Sequence, residues 1–377
     1  MVATQERRMK TIRRLIHREV IAAVGFVTLG FLALFFFFDL VDELRWVGRY
    51  PAGAYGLPHA LLFVTLALPS HLYELLPITV LIGTIFVMAR LAQSSEFTIM
   101  RTSGLGPWRA LHTLLAVGGF FVLLTFAVGD YLAPMSDRAA QLVKARYQGR
   151  LTTGATGAWL KERQGDHSFA VNVRAIGPDG GMLGVRIFEF DGQGRLASRT
   201  QADSAQFGKD GAWHLAQVQN STFHTEKANS PARVEKIVLP EWNWPTQISA
   251  DMVAAAVLKP DRMATIDLFQ YVRHLEANGQ AAQRYEIEFW RKVFYPLSCL
   301  VMVVLALPFA YLHFRAGGIT GYMFGGVMAG ISFFLLNNVF GFVGNLQNWS
   351  PWITAAAPGL IYSLLSLAAF GWLVLRR

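Results

Sequence analysis

The chain has 377 residues, of which 53% are hydrophobic and 16% are charged, and its 34 lysines and arginines outnumber 25 aspartates and glutamates. This composition excludes an ordinary soluble protein, because too few charged residues are present to cover so large an apolar fraction. The apolar residues are concentrated in six segments that are nearly free of charge: 18–40, 57–89, 109–131, 290–312, 319–343 and 351–375. Most of them exceed the roughly 20 residues that cross a bilayer as a helix. The sequence therefore predicts an integral membrane protein with six transmembrane helices.

Basic residues lie on one side of the predicted membrane. They precede the first apolar segment, border the second and third, separate the fourth from the fifth and follow the last: Arg7, Arg8, Lys10, Arg13, Arg14, Arg18, Arg90, Arg101, Arg109, Arg315, Arg376 and Arg377. The short connections on the other side, 39–50 and 342–350, carry mixed charges or none. Positively charged short loops stay in the cytoplasm. We therefore expect both termini in the cytoplasm, and we attribute the net charge of +9 to membrane orientation rather than to nucleic-acid binding.

The first two apolar segments differ in length. The first ends in four consecutive phenylalanines, residues 35–38. The second would form about 50 Å of helix at 1.5 Å per residue, which is too long for one straight crossing. Because Pro69 and Pro77 interrupt it, we expect a surface helix near 57–67 and a separate span from about 71 to 91.

A polar stretch, residues 91–107 with the sequence LAQSSEFTIMRTSGLGP, separates the second and third apolar segments. Ser94 or Ser95 is predicted to cap a helix over 94–103 that Gly104 ends. Such a helix is too short to span a bilayer and too short to be stable alone in water. We predict that it docks a partner protein on the cytoplasmic side. Its candidate contact residues are Glu96, Phe97, Met100 and Arg101.

The composition becomes polar between residues 132 and 280. Short β-rich stretches alternate there with turns rich in Gly and Asp, and the predicted strands are 168–176, 182–190, 202–207, 213–223 and 234–239. This spacing is typical of an antiparallel sandwich or an open barrel. A helix is predicted at about 265–277, and its apolar face consists of Leu268, Tyr271, Val272 and Leu275. Charge placement puts the whole insertion outside the cytoplasm.

The remaining chain is predicted to return to the membrane. We expect one long helix over 281–312, whose first turns protrude from the membrane because they carry Arg284, Glu286, Glu288, Arg291 and Lys292. Glycines in the fifth span, among them Gly321, Gly325, Gly326 and Gly330, serve either packing within the subunit or a subunit interface. The predicted fold is thus an α+β membrane protein with three domains, 1–131, 132–280 and 281–377.

Sequence signatures of catalysis are missing. The chain has no phosphate-binding loop, no G-x-S-x-G elbow and no H-E-x-x-H, and Cys299 is its only cysteine. Ionisable residues are scarce in the middle of the spans, which argues against an ion-driven carrier. We therefore predict no catalytic residue, no metal and no cofactor, and expect that any energy for transport comes through a partner.

The order of these elements, with three spans, a β-rich insertion, three more spans and a short helix after the second span, resembles the LptF/LptG permease family. Four stretches carry the resemblance: RLAQSSE at 90–96, MRTSG at 100–104, WHLAQV at 213–218, and 268–307. The last stretch is more similar to the LptG branch than to the LptF branch.

The resemblance implies a transporter subunit of the inner membrane of a Gram-negative bacterium, with a periplasmic β-jellyroll between helices 3 and 4. In this family, LptF and LptG pair above two copies of the ATPase LptB, which binds the ATP. They extract lipopolysaccharide from the outer leaflet and pass it to a periplasmic bridge of LptC and LptA. The family's coupling helix contacts LptB, so Glu96 would be the partner-contacting acid, supported by Phe97, Met100 and Arg101.

The resemblance also implies substrate contacts at the outer rim. Arg45 and Lys144 match basic positions that hold the phosphates of lipopolysaccharide, whereas Asp39 and Trp46 depart from the family pattern. Phe35 and Phe38 would line an apolar cavity for the acyl chains, although the same phenylalanines would also suit a face that simply contacts lipid. Two alternatives stay open: an LptF-type partner subunit, and a non-transporting receptor or scaffold that displays a β-domain.

Overall fold

The computed structural model describes residues 2–48, 55–148, 157–177, 180–208, 210–224, 233–257, 260–311 and 319–372. Three arginines of the predicted cytoplasmic set, Arg315, Arg376 and Arg377, lie outside these ranges, as do the side chains of Arg7 and Arg8. The helices are α1 (Val2–Leu44), α2 (Leu57–Gln93), α3 (Glu96–Thr102), α4 (Pro107–Ala127), α5 (Ala133–Gln148), α6 (Ala250–Val257), α7 (Thr265–Ala277), α8 (Gln283–Phe294), α9 (Ser298–Ala306), α10 (Ile319–Leu346) and α11 (Pro351–Phe370).

Six helical stretches of the described chain are long and apolar enough to cross a membrane, which confirms the predicted spans. They are Lys10–Leu44, Leu57–Gln93, Pro107–Lys144, Gln283–Tyr311, Met323–Leu346 and Pro351–Phe370. Three precede the β-rich insertion and three follow it, so the predicted α+β membrane fold is confirmed as well.

Two predictions about helix continuity were wrong. The second segment is one helix, α2, with Pro69 and Pro77 inside it. A membrane helix tolerates proline because neighbouring helices and local adjustments satisfy the freed carbonyl groups. Conversely, the predicted long helix over 281–312 is interrupted: 3₁₀ turns at Tyr295–Leu297 and Leu307–Tyr311 flank α9. Each turn contains a proline, which cannot donate the hydrogen bond that a continuous helix needs.

The membrane helices share one apolar core. Its fully buried members come from most spans and include Val24, Leu81, Ile85, Leu114, Cys299, Val303 and Phe333. Glycines permit the closest helix contacts. A Cβ on Gly83 would lie 2.7 Å from the backbone nitrogen of Val24, and one on Gly326 would lie 2.5 Å from Ile85. Gly326 therefore packs within the subunit, whereas a Cβ on Gly321 or Gly325 would have nothing within 4 Å.

The insertion contains a six-stranded antiparallel sheet in the sequential order β1-β2-β3-β4-β5-β6. Its strands are β1 (Ala158–Gln164), β2 (His167–Ile176), β3 (Met182–Phe190), β4 (Leu196–Phe207), β5 (Ala212–His224) and β6 (Arg233–Pro245). All five predicted strands are present, and β1 is an additional one. The described strands form a single meander, without the second sheet of a sandwich or the Greek-key crossovers of a strict jellyroll.

One face of the sheet is covered by α6, which adds Val253 to a core around Trp213. The indole Nε1 of Trp213 donates a hydrogen bond to the carbonyl oxygen of Ile248, at 2.7 Å. The predicted helix at 265–277 is confirmed as α7 with the predicted apolar face buried. Gly279, at φ +62°, follows its end.

The chain divides into two compact units. The first contains Met1–Asp42, Ala67–Met135 and Glu286–Arg377, and the second contains Glu43–Leu66 and Ser136–Tyr285. The second unit thus includes a segment before the third span that the predicted division at residues 131 and 281 placed in the N-terminal half.

Candidate functional site

The short helix of the polar stretch exists, but it begins differently from the prediction. α3 has seven residues, and Ser95 before it adopts a left-handed conformation, φ 59°, with no side-chain cap. Side-chain capping requires an extended residue at this position. Ser94 does not cap α3 either, since its hydroxyl donates to the carbonyl oxygen of Leu91 at 3.4 Å. The predicted serine cap was therefore wrong.

The C-terminal end of α3 follows the predicted glycine stop. Gly104 has φ +103°, its N–H donates to the carbonyl of Arg101, and the N–H of Leu105 donates to the carbonyl of Met100, each at 3.0 Å. This pair of bonds is the Schellman motif, in which glycine supplies the left-handed residue. Leu105 is fully buried and belongs to the same apolar core as Met100.

One face of α3 is attached to the membrane bundle. Phe97 is only 2% exposed and Met100 is also buried. The Phe97 ring lies edge-on to the ring of Tyr311, with 5.1 Å between centroids. The guanidinium carbon of Arg101 lies 4.9 Å from the centroid of the same tyrosine, which is within the range of a cation–π contact. These three predicted residues therefore hold α3 on the bundle.

A second face of α3 is open. Glu96 is exposed, and within the described chain its carboxylate has no ion-pair or hydrogen-bond partner. Ile99, three residues further on, is 63% exposed, and residues three apart are neighbours on a helix surface. The sequence analysis did not select Ile99, although its position outside the Phe97–Met100 face indicated that it would be exposed. It also did not select Tyr311, because no local sequence pattern relates residue 311 to α3.

Lys144, a predicted phosphate-contacting residue, lies in a cluster of the second unit. Its Nζ donates to Oε2 of Glu43 at 3.0 Å, and Tyr55 donates to Oε1 of the same carboxylate at 2.7 Å. The ammonium also lies 4.6 Å from the Phe63 ring centroid and 5.9 Å from that of Trp46. Glu43 is 5% exposed. The sequence analysis did not select Glu43, Tyr55 or Phe63 as members of this site. It identified Trp46 only as a departure from the family pattern.

The remaining predicted substrate residues are Arg45, Phe35 and Phe38. Arg45 is exposed and belongs to the second unit. In the first unit, the Phe35 ring contacts the ring of His71, with 4.8 Å between centroids, and His71 also pairs with Asp39 at 2.6 Å. Phe38 is exposed. The roles of these residues stay predictions. The described residues contain no group of three His, Cys, Asp or Glu that could hold a metal ion.

The fold and this geometry define a class: a multi-pass membrane protein with a β-domain inserted between its third and fourth spans, and with a short helix that is attached by one face and open on the other. Sequence comparison gives the family. The family model "Lipopolysaccharide export system permease LptF/LptG" matches residues 14–375, so the chain belongs to the LptF/LptG family.

Curated relatives agree with the family. The chain is 28% identical over 340 residues to the lipopolysaccharide export system permease protein LptG of Escherichia coli strain K12, covering 89% of this chain and 90% of the relative. It is 27% identical over 372 residues to the LptG protein of Haemophilus influenzae, covering 98% and 99% of the two chains.

Proposed function

We propose that the chain is an LptG-type permease subunit, which takes lipopolysaccharide from the outer leaflet of the inner membrane and passes it to a periplasmic bridge. Family membership and the name shared by its relatives support this function, and that name favours LptG over an LptF-type subunit. The chain itself is not an enzyme in this proposal. ATP is hydrolysed by two copies of a separate ATPase, LptB, and LptF is the second permease subunit.

The observation that carries the proposal is that α3 is attached to the bundle by one face and exposed on another. Its inner face is fixed by buried Phe97 and Met100, and the Tyr311 ring that it contacts ends the fourth span. A force applied to the outer face through Glu96 and Ile99 would therefore reach a membrane helix directly. Glu96 supplies a carboxylate for a cationic partner group, and Ile99 supplies apolar area.

The substrate would contact cationic and aromatic groups. Lipopolysaccharide has acyl chains, which suit exposed aromatic rings such as Phe38, and phosphates, which suit basic residues such as Arg45. Lys144 donates one of its three N–H groups to Glu43, so a phosphate would share the ammonium with that carboxylate. Charge-assisted contacts to phosphate become strong where several donors converge in a poorly hydrated site.

The proposed orientation places the termini and α3 in the cytoplasm and the sheet in the periplasm. Strand β6 is the last strand of the described sheet, and it exposes Val234, Ile237 and Val238. An edge strand with exposed backbone and apolar side chains can accept an added strand from another protein. This edge supports the proposal that bridge proteins of the LptC and LptA type connect to the β-domain.

Co-purification tests the proposal. Wild-type chain from native membranes should bring down a nucleotide-binding subunit and a second permease. Glu96→Ala should lower ATPase recovery about tenfold, as expected for the loss of one charge-assisted contact, with insertion unchanged. Thr98→Ala, an exposed position on the same helix, is the control. Equal recovery with Glu96→Ala would contradict the docking role, and purification without any nucleotide-binding protein would favour a receptor or scaffold.

Labelling tests the orientation. Cys299 is the only cysteine, so a Cys299→Ser background permits single-cysteine probes. In intact cells with a permeabilised outer membrane, a membrane-impermeant maleimide should label Lys236→Cys on β6 and leave Thr98→Cys on α3 unlabelled until the cells are lysed. Labelling of Thr98→Cys in intact cells would overturn the proposed topology.

A further inference from the structure

A groove with a volume of about 380 Å³ lies between α1 and the first half of α4, the helix that follows α3 in the sequence. It is lined by two arginines, two histidines, one tryptophan and two small residues: Arg13, His17, Trp108, Arg109, His112, Thr113 and Ala116. No carboxylate is among these lining residues. The volume is within the range of small-molecule sites, and the cationic lining favours an anionic occupant.

The polar lining is held in place by the fold. The His17 Nε2–H donates to the carbonyl oxygen of Thr113 at 3.1 Å, and the His112 Nδ1–H donates to that of Trp108 at 2.7 Å. The Trp108 ring lies edge-on to Phe370, 5.7 Å between centroids. Three side chains that line this groove are therefore held by contacts within the protein.

Both arginines retain donors for a ligand. Arg109 uses one N–H, which donates to the carbonyl oxygen of Gly104 at 3.0 Å, and a guanidinium has further N–H donors in the same plane. Arg13 is exposed and has no ion-pair or hydrogen-bond partner in the described part of the chain. Two such groups on facing helices match the oxygens of a phosphate.

The groove continues into an apolar helix face. Arg109, His112, Thr113 and Ala116 follow the 3-4-7 spacing of one face of α4. The next residues at this spacing, Phe120 and Leu123, are exposed. Trp108 is exposed at the charged end, where tryptophan prefers the level of the lipid headgroups. Acyl chains could thus lie along α4 from a phosphate held at the arginines.

We propose that this groove binds one anionic phospholipid, with its phosphodiester between Arg13 and Arg109 and an acyl chain along Phe120 and Leu123. Basic pockets between membrane helices are a known geometry for anionic headgroups. The lipid would stabilise the corner between α3 and α4, because Arg109 already donates to Gly104 at the end of α3. The proposal does not depend on lipopolysaccharide export. With the orientation proposed above, the bound lipid would belong to the cytoplasmic leaflet.

The test uses the full chain in nanodiscs of phosphatidylcholine, with or without phosphatidylglycerol, and counts retained lipids by native mass spectrometry. Wild type should retain one phosphatidylglycerol. Arg13→Gln/Arg109→Gln should weaken retention about fivefold for each arginine and about 25-fold together. Arg14→Gln/Arg18→Gln removes the same charge from exposed positions of α1 outside the groove, and it should leave retention unchanged.

Two further arms make the result decisive. Arg13→Gln alone keeps the Arg109–Gly104 bond, so it reports on the site if the double variant fails to fold. Inorganic phosphate should compete weakly, since it lacks acyl chains. The proposal would be overturned by equal lipid retention in the groove and control variants, by equal retention of phosphatidylcholine, or by full displacement of the lipid by inorganic phosphate.

Discussion

Lys292 on α8 donates a hydrogen bond from Nζ to the carbonyl oxygen of Gly129, 163 positions earlier, at 2.8 Å. Gly129 lies in a π-helical turn, Val128–Leu132, that joins α4 to α5. Lys292 is only 7% exposed, and the Tyr73 ring lies 5.7 Å from its ammonium. Lys292, which the sequence assigned to turns that protrude from the membrane, is therefore buried within the protein. The contact connects the third and fourth spans at this π-helical turn. Such turns inside α-helices are frequent at functional sites.

Gly129→Ala should destabilise this contact. A Cβ at this position would lie 2.3 Å from two atoms of the Tyr73 ring, so the ring, the turn or Lys292 must move. We expect a loss of about 1–3 kcal/mol, the usual cost of overpacking a core, measured as a lower thermal midpoint in detergent. Gly119→Ala is the matched control, because a Cβ there would have nothing within 4 Å. Equal midpoints for the two variants would contradict the tight contact.

The two faces of α3 should respond differently to substitution. Phe97→Ala removes a buried ring from the contact with Tyr311 and should cost about 3–5 kcal/mol of stability, as large-to-small core changes do. Ile99→Asp changes an exposed residue and should leave the free energy of unfolding within about 0.5 kcal/mol of wild type. It should nevertheless reduce recovery of the ATPase. A stable Phe97→Ala variant, or an Ile99→Asp variant with undiminished ATPase recovery, would argue against this division of the helix.

Periodic apolar patterns predicted the elements that depend on local sequence. Helix α7 was predicted with its observed bounds, because four apolar residues recur at helical spacing and Gly279 marks the end. Strand β1 was missed because its third inward position is Glu162, a charged residue where the pattern requires an apolar one. That carboxylate is buried and accepts hydrogen bonds from the Thr246 hydroxyl and the Gln247 N–H. The strand could not be predicted because the groups that satisfy the buried Glu162 carboxylate are 84 or more residues away in the sequence.

Long-range contacts also explain what could not be predicted at the candidate sites. The sequence indicated the short helix and its buried face, since Phe97 and Met100 are three residues apart. It could not indicate that Tyr311 completes the attachment, or that Glu43 neutralises Lys144 from 101 positions away. Basic residues are readily assigned to a phosphate from sequence, but only the fold shows which of them already have a carboxylate partner.

The β-domain should lose stability in mild acid through His274. Burial lowers the pKa of this α7 histidine below its ordinary value of 6.5, so the unfolded chain binds the proton more readily. The stability contribution is full above about pH 6.5 and falls as the pH decreases. His274→Gln should reduce the difference between urea midpoints of the full chain at about pH 7.5 and about pH 5.5. An unchanged difference would contradict the assignment.

His214 provides the opposite sign for comparison. Hydrogen bonds from its ring to the side chains of Asn243 and Asp210 raise its pKa above 6.5. Its contribution is therefore complete below about pH 6.5 and is lost as the pH rises through the raised pKa. His214→Gln should make the acid-induced loss of stability larger, not smaller, in the same urea measurement.

The Lys144–Glu43 pair should show strong coupling in a double-mutant cycle. Lys144→Met would leave the carboxylate of Glu43 buried beside Tyr55 without its cation, and Glu43→Gln would leave the ammonium without its anion. Breaking a buried pair from one side costs about 3–5 kcal/mol, whereas the double variant removes both charges and should cost less than the sum. The measured quantity is the free energy of unfolding of the full chain in detergent.

The exposed pair Arg195–Asp191, with 2.9 Å between the charged groups, is the control, and its coupling should stay below about 1 kcal/mol. Additive effects at Lys144 and Glu43 would contradict the coupling between these two charges.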